Sequence, residues 1–349
     1  MVLKGEFIMM KYTKACIEKY VSDGHINNIA LRIGMRDDII ADIFKSTEQS
    51  IDSKTLFDMA SVTKIMSTTV LCLIALEKGY IKLSDRASTF FEAANDKKIT
   101  VEHLLTHTMG IGHKSMIAEG NNYDNIADYI LNIPSDVPVG SDVLYSCPGY
   151  ILLGKILEKV FGKRLDELFR EVIAKPLGME YSSFCPDKKN QVVNSNISLN
   201  EKGMVNDYNC RFLGGVAGNA GLFSNLDDVD KYVKMLLDYG SPVIKKETFL
   251  SAIKNYTYNM SESRGLGFVY VDEKYKQTGK LFQNGSIGHC GHTGQSVFFD
   301  INTGLYVIVL SDATISTTKK YGREKYDIVM RMREDIHNAI SDDLINLKL

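Results

Sequence analysis

Ser61 and Lys64 stand in the tetrad Ser61-Val62-Thr63-Lys64, where the strand-like Leu56-Phe57-Asp58-Met59 meets an apolar segment. A serine at a helix start and a lysine three residues on share one face, one turn apart. The positive field of a helix N-terminus favours a developing alkoxide on Ser61. The same field, together with burial, favours a Lys64 free to accept the serine proton. That pairing is the equipment of a nucleophilic serine with its own base. The four residues also fit a plain serine N-cap followed by a surface lysine. Lys64 lies among Val62, Ile65, Met66, Val70 and Leu73, which draws it inward.

Two further groups follow in the chain. Tyr145-Ser146-Cys147-Pro148-Gly149-Tyr150 precedes a helix-like segment, and Gly291-His292-Thr293-Gly294 precedes the strand-like Ser296–Ile301. In this order and at these separations the set resembles the serine β-lactamase and penicillin-binding protein superfamily. The closest match is the branch of class C β-lactamases, D-alanyl-D-alanine carboxypeptidases and esterases, which carries S-x-x-K, then Y-[AS]-N, then [KH]-T-G. Blocks around residues 57–64, 77–85, 103–110 and 214–224 also look like family blocks. The resemblance extends over about residues 50–310.

The resemblance implies an acyl-enzyme mechanism. Ser61 attacks a carbonyl, and Lys64 activates it, alone or through Tyr145; the residues leave open which is the base. The backbone N–H groups of Ser61 and Gln295 hold the oxyanion. His292, Thr293 and Gly294 form the substrate-side edge with Gln295, and Cys147 lies beside it. A tyrosine titrates near 10 in water, so two neighbouring cations, Lys64 and His292, are expected to depress Tyr145. The implied substrate is a small molecule or short peptide with an ester or amide bond, including D-amino-acid peptides and β-lactams. No cofactor is implied.

Two positions depart from the pattern. The family asparagine of the second motif is Cys147, only a weak donor and acceptor. This disfavours a true β-lactamase relative to a carboxypeptidase or esterase. It also motivates an alternative, a catalytically weak binding or sensing module on the same scaffold. Cys147 equally suits a small buried position before Pro148. The third motif carries His292 rather than lysine, a clamp for a substrate carboxylate that is only partly charged near neutral pH.

Other groupings point elsewhere and are set aside. His103 and His107 are four apart on an expected helix, and His289, Cys290 and His292 cluster, but neither group has the acid of H-E-x-x-H, so no metal is expected. The glycine-rich run 214–221 lacks the Lys-Ser/Thr ending of a phosphate loop and is expected to let backbone line the cleft closely. Asp207 and Asn209 approach the pocket or sit in a solvated turn. Lys plus Arg number 41 against 43 Asp plus Glu, a net charge of −2, which removes the footprint of a nucleic-acid binder. No run of about 18 apolar residues is present, so no transmembrane segment is expected.

The elements that must position these residues come from both ends of the chain. Ile29–Met35 and Ile39–Phe44 read as a hairpin around Arg36-Asp37-Asp38, and Gly265–Val271, Ser296–Ile301 and Leu305–Ser311 read as strands. Between them lie helical segments at Val62–Lys78, Val101–Thr106, Ile126–Leu131, Pro148–Phe161, Leu165–Ile173 and Asp227–Leu237. A charged helix within residues 1–24 and a final helix over Tyr321–Ile340 flank the set. The expected fold is α+β, an α/β sandwich: one antiparallel sheet built from both termini, flanked by helices, with an inserted, mostly helical subdomain. Residues 1–60 and 240–349 supply the sheet, 61–239 the insertion, and 1–349 form one catalytic unit of 349 residues. Nothing bears on oligomeric state. The charged start lacks the pattern of a secretory signal and the six cysteines form no CxxC pair, so reduced thiols and a cytoplasmic location are expected.

Overall fold

A computed structural model describes residues 10–91, 97–114, 117, 124–187 and 189–348. In chain order the helices and strands begin with α1 (Lys11–Ser22), β1 (Asn28–Met35), β2 (Asp38–Ser46), β3 (Phe57–Asp58) and α2 (Val70–Glu77). Next come α3 (Val101–Leu105), α4 (Ile126–Asn132), α5 (Cys147–Phe161), α6 (Leu165–Phe169) and α7 (Lys175–Leu177). The middle closes with β4 (Ser183–Phe184), α8 (Tyr208–Phe212), β5 (Leu222–Ser224), α9 (Leu226–Leu237) and α10 (Lys246–Ala252). The C-terminal part holds β6 (Val269–Tyr270), β7 (Ile287–Cys290), β8 (Ser296–Phe299), β9 (Leu305–Ser311), α11 (Ala313–Tyr321) and α12 (Tyr326–Leu347). The part of the expected first helix before Met10 lies outside the described residues.

The main sheet runs β2-β1-β9-β8-β7-β6, antiparallel throughout, so the two ends of the chain meet at its centre. β1 pairs with β9 from Ile29↔Ser311 to Met35↔Leu305. Side chains alternate across a strand, and here both faces are apolar. Ile29, Leu31, Ile33, Val307 and Val309 pack with Ile17, Ile336 and Ile340 of α1 and α12. Ala30, Tyr306, Ile308 and Leu310 point the other way, into the core shared with α2, α5 and α9. The sheet is therefore the middle layer of a sandwich, with α1 and α12 on one face and the central helices on the other.

Several elements differ from expectation. Of Gly265–Val271 only Val269–Tyr270 joins the sheet, because Leu266 N–H bonds Ala252 O at 2.8 Å and Gly267 N–H bonds Leu105 O at 3.0 Å. The expected final helix is α12, which starts later, at Tyr326, and a further helix that was not expected, α11, precedes it and ends at Gly322 with φ 68°. The central region also carries a small sheet, β3-β5-β4, in which β3 falls within the strand-like Leu56–Met59 while β4 and β5, of two and three residues, were not expected. Ala60–Glu77 is long and apolar enough to cross a membrane by composition, with a mean hydropathy of 1.4, but it is 83% buried within the protein. It begins as a tight turn over Ala60–Val62, widens to π-helical geometry over Lys64–Thr69, and becomes α2.

Candidate active site

The nucleophile candidate is set by a strained turn. β3 pairs with β5 and ends at Asp58. Two residues later Ala60 adopts φ 44°, a left-handed conformation that costs free energy for a residue with a Cβ. The buried Asp58 carboxylate holds it there, accepting from Ala60 N–H at 2.8 Å and from Asn206 N–H at 2.7 Å. Loss of water around Asp58 pushes its carboxyl up to about 6, against the pull of those two bonds. Ser61 emerges from this turn half-buried, and Lys64 one turn on is fully buried. Lys64 Nζ donates to Ser61 Oγ at 2.9 Å and to the carbonyl of Asn219 at 2.9 Å, with Cys147 Sγ at 3.6 Å.

Tyr145 reaches the same oxygen from the other side. Its hydroxyl donates to Ser61 Oγ at 2.7 Å. The segment before α5 is pinned to His107: Leu144 N–H bonds the His107 carbonyl at 2.8 Å and Ser146 N–H bonds His107 Nδ1 at 3.0 Å. Ser146 then caps α5 through Gly149 N–H at 3.1 Å, with Pro148 in the first turn, where no N–H is needed. The Tyr145 ring lies 4.6 Å from that of His107 and 6.1 Å from that of His289. Desolvation pushes the phenol well above its ordinary value, reinforced by Cys147; the Ser61 bond and Arg264 do not offset it. The expected depression of Tyr145 by neighbouring cations is thus reversed, because burial outweighs them. Burial also holds His107 and His289 well below the ordinary imidazole value, with Arg264 and Lys64 adding to the effect.

The third motif docks on the turn rather than beside it. Thr293 Oγ1 donates to the carbonyl of Asp58 at 3.0 Å, and Gln295 Nε2 anchors the following strand to Ser311 O at 3.0 Å. Gly291 passes so close that a Cβ there would lie 2.7 Å from Met59 O. Gly294 follows at φ 129°, open to glycine alone. Among the described residues, no backbone hydrogen bond occupies Ser61 N–H or Gln295 N–H. His292 is on the cleft rim, stacked on Tyr326 at 5.4 Å with its Nε2 3.3 Å from Glu324 Oε1.

A cavity of about 690 Å³ opens above these groups, lined by Ser61, Tyr145, Cys147 and His292 among others. The expected site residues therefore converge from three distant stretches of chain. Others there were not anticipated. Asp58 and Asn219 lie in the family-like blocks 57–64 and 214–224 but carry no expected role, and His113, Arg264 and Glu324 lie outside the motifs, so that only the fold brings them in. Asp207 and Asn209 do line the cavity, Asp207 while capping α8 through Cys210 N–H at 2.8 Å. Within the glycine run Gly218 packs on α5, where a Cβ would lie 2.0 Å from Tyr150 O, and Gly221 passes close to Gly215 O and Cys210 Sγ. α3 ends at Leu105, so His107, with φ 61°, is not on the helix with His103 as expected. His103 instead closes a cap, its Nδ1 accepting from Thr100 N–H at 3.1 Å.

A family model described as Beta-lactamase matches residues 13–327. Among curated proteins, one named N-acetylmuramyl-L-alanine amidase from Bacillus subtilis (strain 168) is 29% identical over 226 residues, 54% of this chain and 51% of its own length. The chain thus spans about half the length of that relative. A protein of Escherichia coli (strain K12) named for D-alanyl-D-alanine carboxypeptidase is 26% identical over 74% of this chain and 69% of its own length. Two solved structures share the fold. EstCE1, titled a hydrolase with promiscuous acyltransferase activity, gives a TM-score of 0.75 at 18% identity, covering 95% of this chain and 98% of its own. A β-lactamase/D-alanine carboxypeptidase from Pseudomonas syringae gives 0.74 at 18% identity, covering 93% and 97%.

Proposed function

This chain belongs to the beta-lactamase family, and from that premise we propose that it is a serine hydrolase that cleaves an ester or amide through an acyl-enzyme on Ser61. The observation that carries the reading is the convergence of Lys64 Nζ and Tyr145 OH on Ser61 Oγ, at 2.9 and 2.7 Å, at the base of the cavity. Lys64 takes the serine proton as Ser61 attacks. The developing oxyanion is received by the N–H groups of Ser61 and Gln295. Tyr145, a phenol that stays protonated, passes a proton to the leaving group and regains one from Lys64. A water then repeats the sequence to release the acid.

A carboxypeptidase or esterase substrate fits the cleft better than a β-lactam. The thiol of Cys147 offers no side-chain amide to pair with an acylamido group, and it faces Lys64 instead. The names of the relatives, an N-acetylmuramyl-L-alanine amidase and a protein named for D-alanyl-D-alanine carboxypeptidase, support short peptides carrying D-amino acids as the amide class. Intact-mass detection of a fluorophosphonate adduct, lost in Ser61→Ala, tests the reading. Failure of every acylating probe to modify the protein would refute it. Turnover of short-chain aryl esters against D-Ala-D-Ala peptides then separates the two substrate classes.

A further inference from the structure

Lys64 is fully buried, and a buried cation is costly unless an anion compensates it. Its three polar partners are the Ser61 hydroxyl, the Asn219 carbonyl and the Cys147 thiol. Among the described residues no carboxylate lies within ion-pair distance of its ammonium. The faces of Tyr145 and Tyr150, at 5.0 and 5.5 Å, add attraction but no charge. Of the three partners the thiol is by far the most acidic, and it alone can be an anion at neutral pH. Cys147 also occupies the first position of the 15-residue α5, where the helix field favours a thiolate.

We infer that Lys64 and Cys147 form a buried pair sharing one acidic proton, in which Cys147 is the positioning residue that lets Lys64 act as the base. This deepens the hydrolase reading and rests on it. In the resting form Lys64 is an ammonium and Cys147 a thiolate, and Ser61 Oγ only accepts hydrogen bonds. Transfer of one Lys64 proton to Sγ leaves a neutral amine and a thiol, with no change in net charge. The amine lone pair then takes the Ser61 proton as the Oγ–carbonyl bond forms, and the carbonyl electron pair moves to oxygen. The proton on Lys64 leaves through Tyr145 to the departing group, and the thiol returns its own proton to Lys64. The family asparagine has no proton to exchange in this way.

The groups facing Cys147 come from four segments: Lys64, His113 after α3, Asp207 before α8, and Tyr145 just ahead of α5. Burial and Asp207 disfavour the thiolate, but Lys64 and His113 outweigh them and hold the thiol below its ordinary value. His113 is raised in turn, chiefly by its bond to Cys147.

Three measurements on the full chain test the pair. The ultraviolet difference between the protein and Cys147→Ser at about pH 7 is expected to show one thiolate, absent in a Lys64→Met background. Iodoacetamide, followed by peptide mapping, is expected to alkylate Cys147 of the unmutated protein at least about tenfold faster at that pH than the exposed Cys185. In Cys147→Ser the kcat for a neutral aryl ester is expected to fall about tenfold or more, with its acid-side limb moved to higher pH and KM little altered. Absence of the thiolate band overturns the inference. So does alkylation that climbs with pH as an ordinary thiol's does, or that fails at neutral pH. A fluorophosphonate adduct on Ser61 with no thiolate refutes the pair alone, whereas no adduct refutes the hydrolase reading.

Discussion

Tyr145 donates its phenolic hydrogen to Ser61 Oγ at 2.7 Å, from a phenol that burial keeps protonated. The resting serine therefore accepts a hydrogen bond from Tyr145 rather than giving one to it. A base is required elsewhere, and Lys64 on the opposite side is the group in reach. Tyr145→Phe removes the route to the leaving group and leaves the base. It is expected to lower kcat by about 10²- to 10⁴-fold, the usual worth of a positioned proton donor. Substrates with good leaving groups, such as nitrophenyl esters, should lose less than alkyl esters. Equal losses in a steady-state comparison would contradict the donor role.

Asp58 gives a stability signature with a defined sign. Its carboxyl rises from an ordinary 3.8 to about 6 in the folded protein. The folded state therefore holds a proton that the unfolded state has lost between those values, and its contribution to stability declines as pH rises through about 6. Relative to Asp58→Asn, which does not titrate, the unmutated protein should lose about 2 kcal/mol between about pH 4 and pH 7. Denaturant melts of both proteins across that range check it, and a parallel pair of curves would refute it.

Gly291→Ala tests the docking of the third motif. The added Cβ would meet Met59 O at 2.7 Å, a backbone atom that cannot step aside cheaply. Pushing the two segments apart displaces Gln295 N–H from Ser61. Stability is expected to fall by about 1–3 kcal/mol, and kcat by about tenfold or more. A variant with unaltered kcat would show that the third motif does not set the oxyanion site.

Glu324 sits at the cleft rim against His292, and that bond holds its carboxyl below the usual range. Glu324→Gln removes a negative charge from the path of an anionic substrate and frees His292 Nε2. The kcat/KM ratio of a carboxylate-bearing ester to its neutral analogue is expected to rise about two- to fivefold, the scale of one exposed ion pair. The gain should shrink at high salt. No change in the ratio at low salt would place carboxylate recognition elsewhere.

Much of the site was legible in the chain because it rests on local geometry. Spacing three apart puts Ser61 and Lys64 on one turn, and runs of apolar, largely β-branched residues mark β1 and β9. The expected helix from Pro148 begins one residue from the true start of α5 at Cys147. β7 escaped notice because Ile287-Gly288-His289-Cys290 has no alternation to show. His107 reads as helical by spacing, yet a turn takes it off α3 to hold the Tyr145 segment.

The sequence by itself determined which residue types stand at Ser61, Lys64, Tyr145 and His292, and most of the helices and strands beside them, since both depend on near neighbours. Only the tertiary structure decided the protonation of Tyr145 and the company that all four keep. Asn219 reaches Lys64 across 155 positions and Cys147 across 83. Tyr145 is raised rather than depressed because burial, which no local pattern specifies, outweighs the cations beside it.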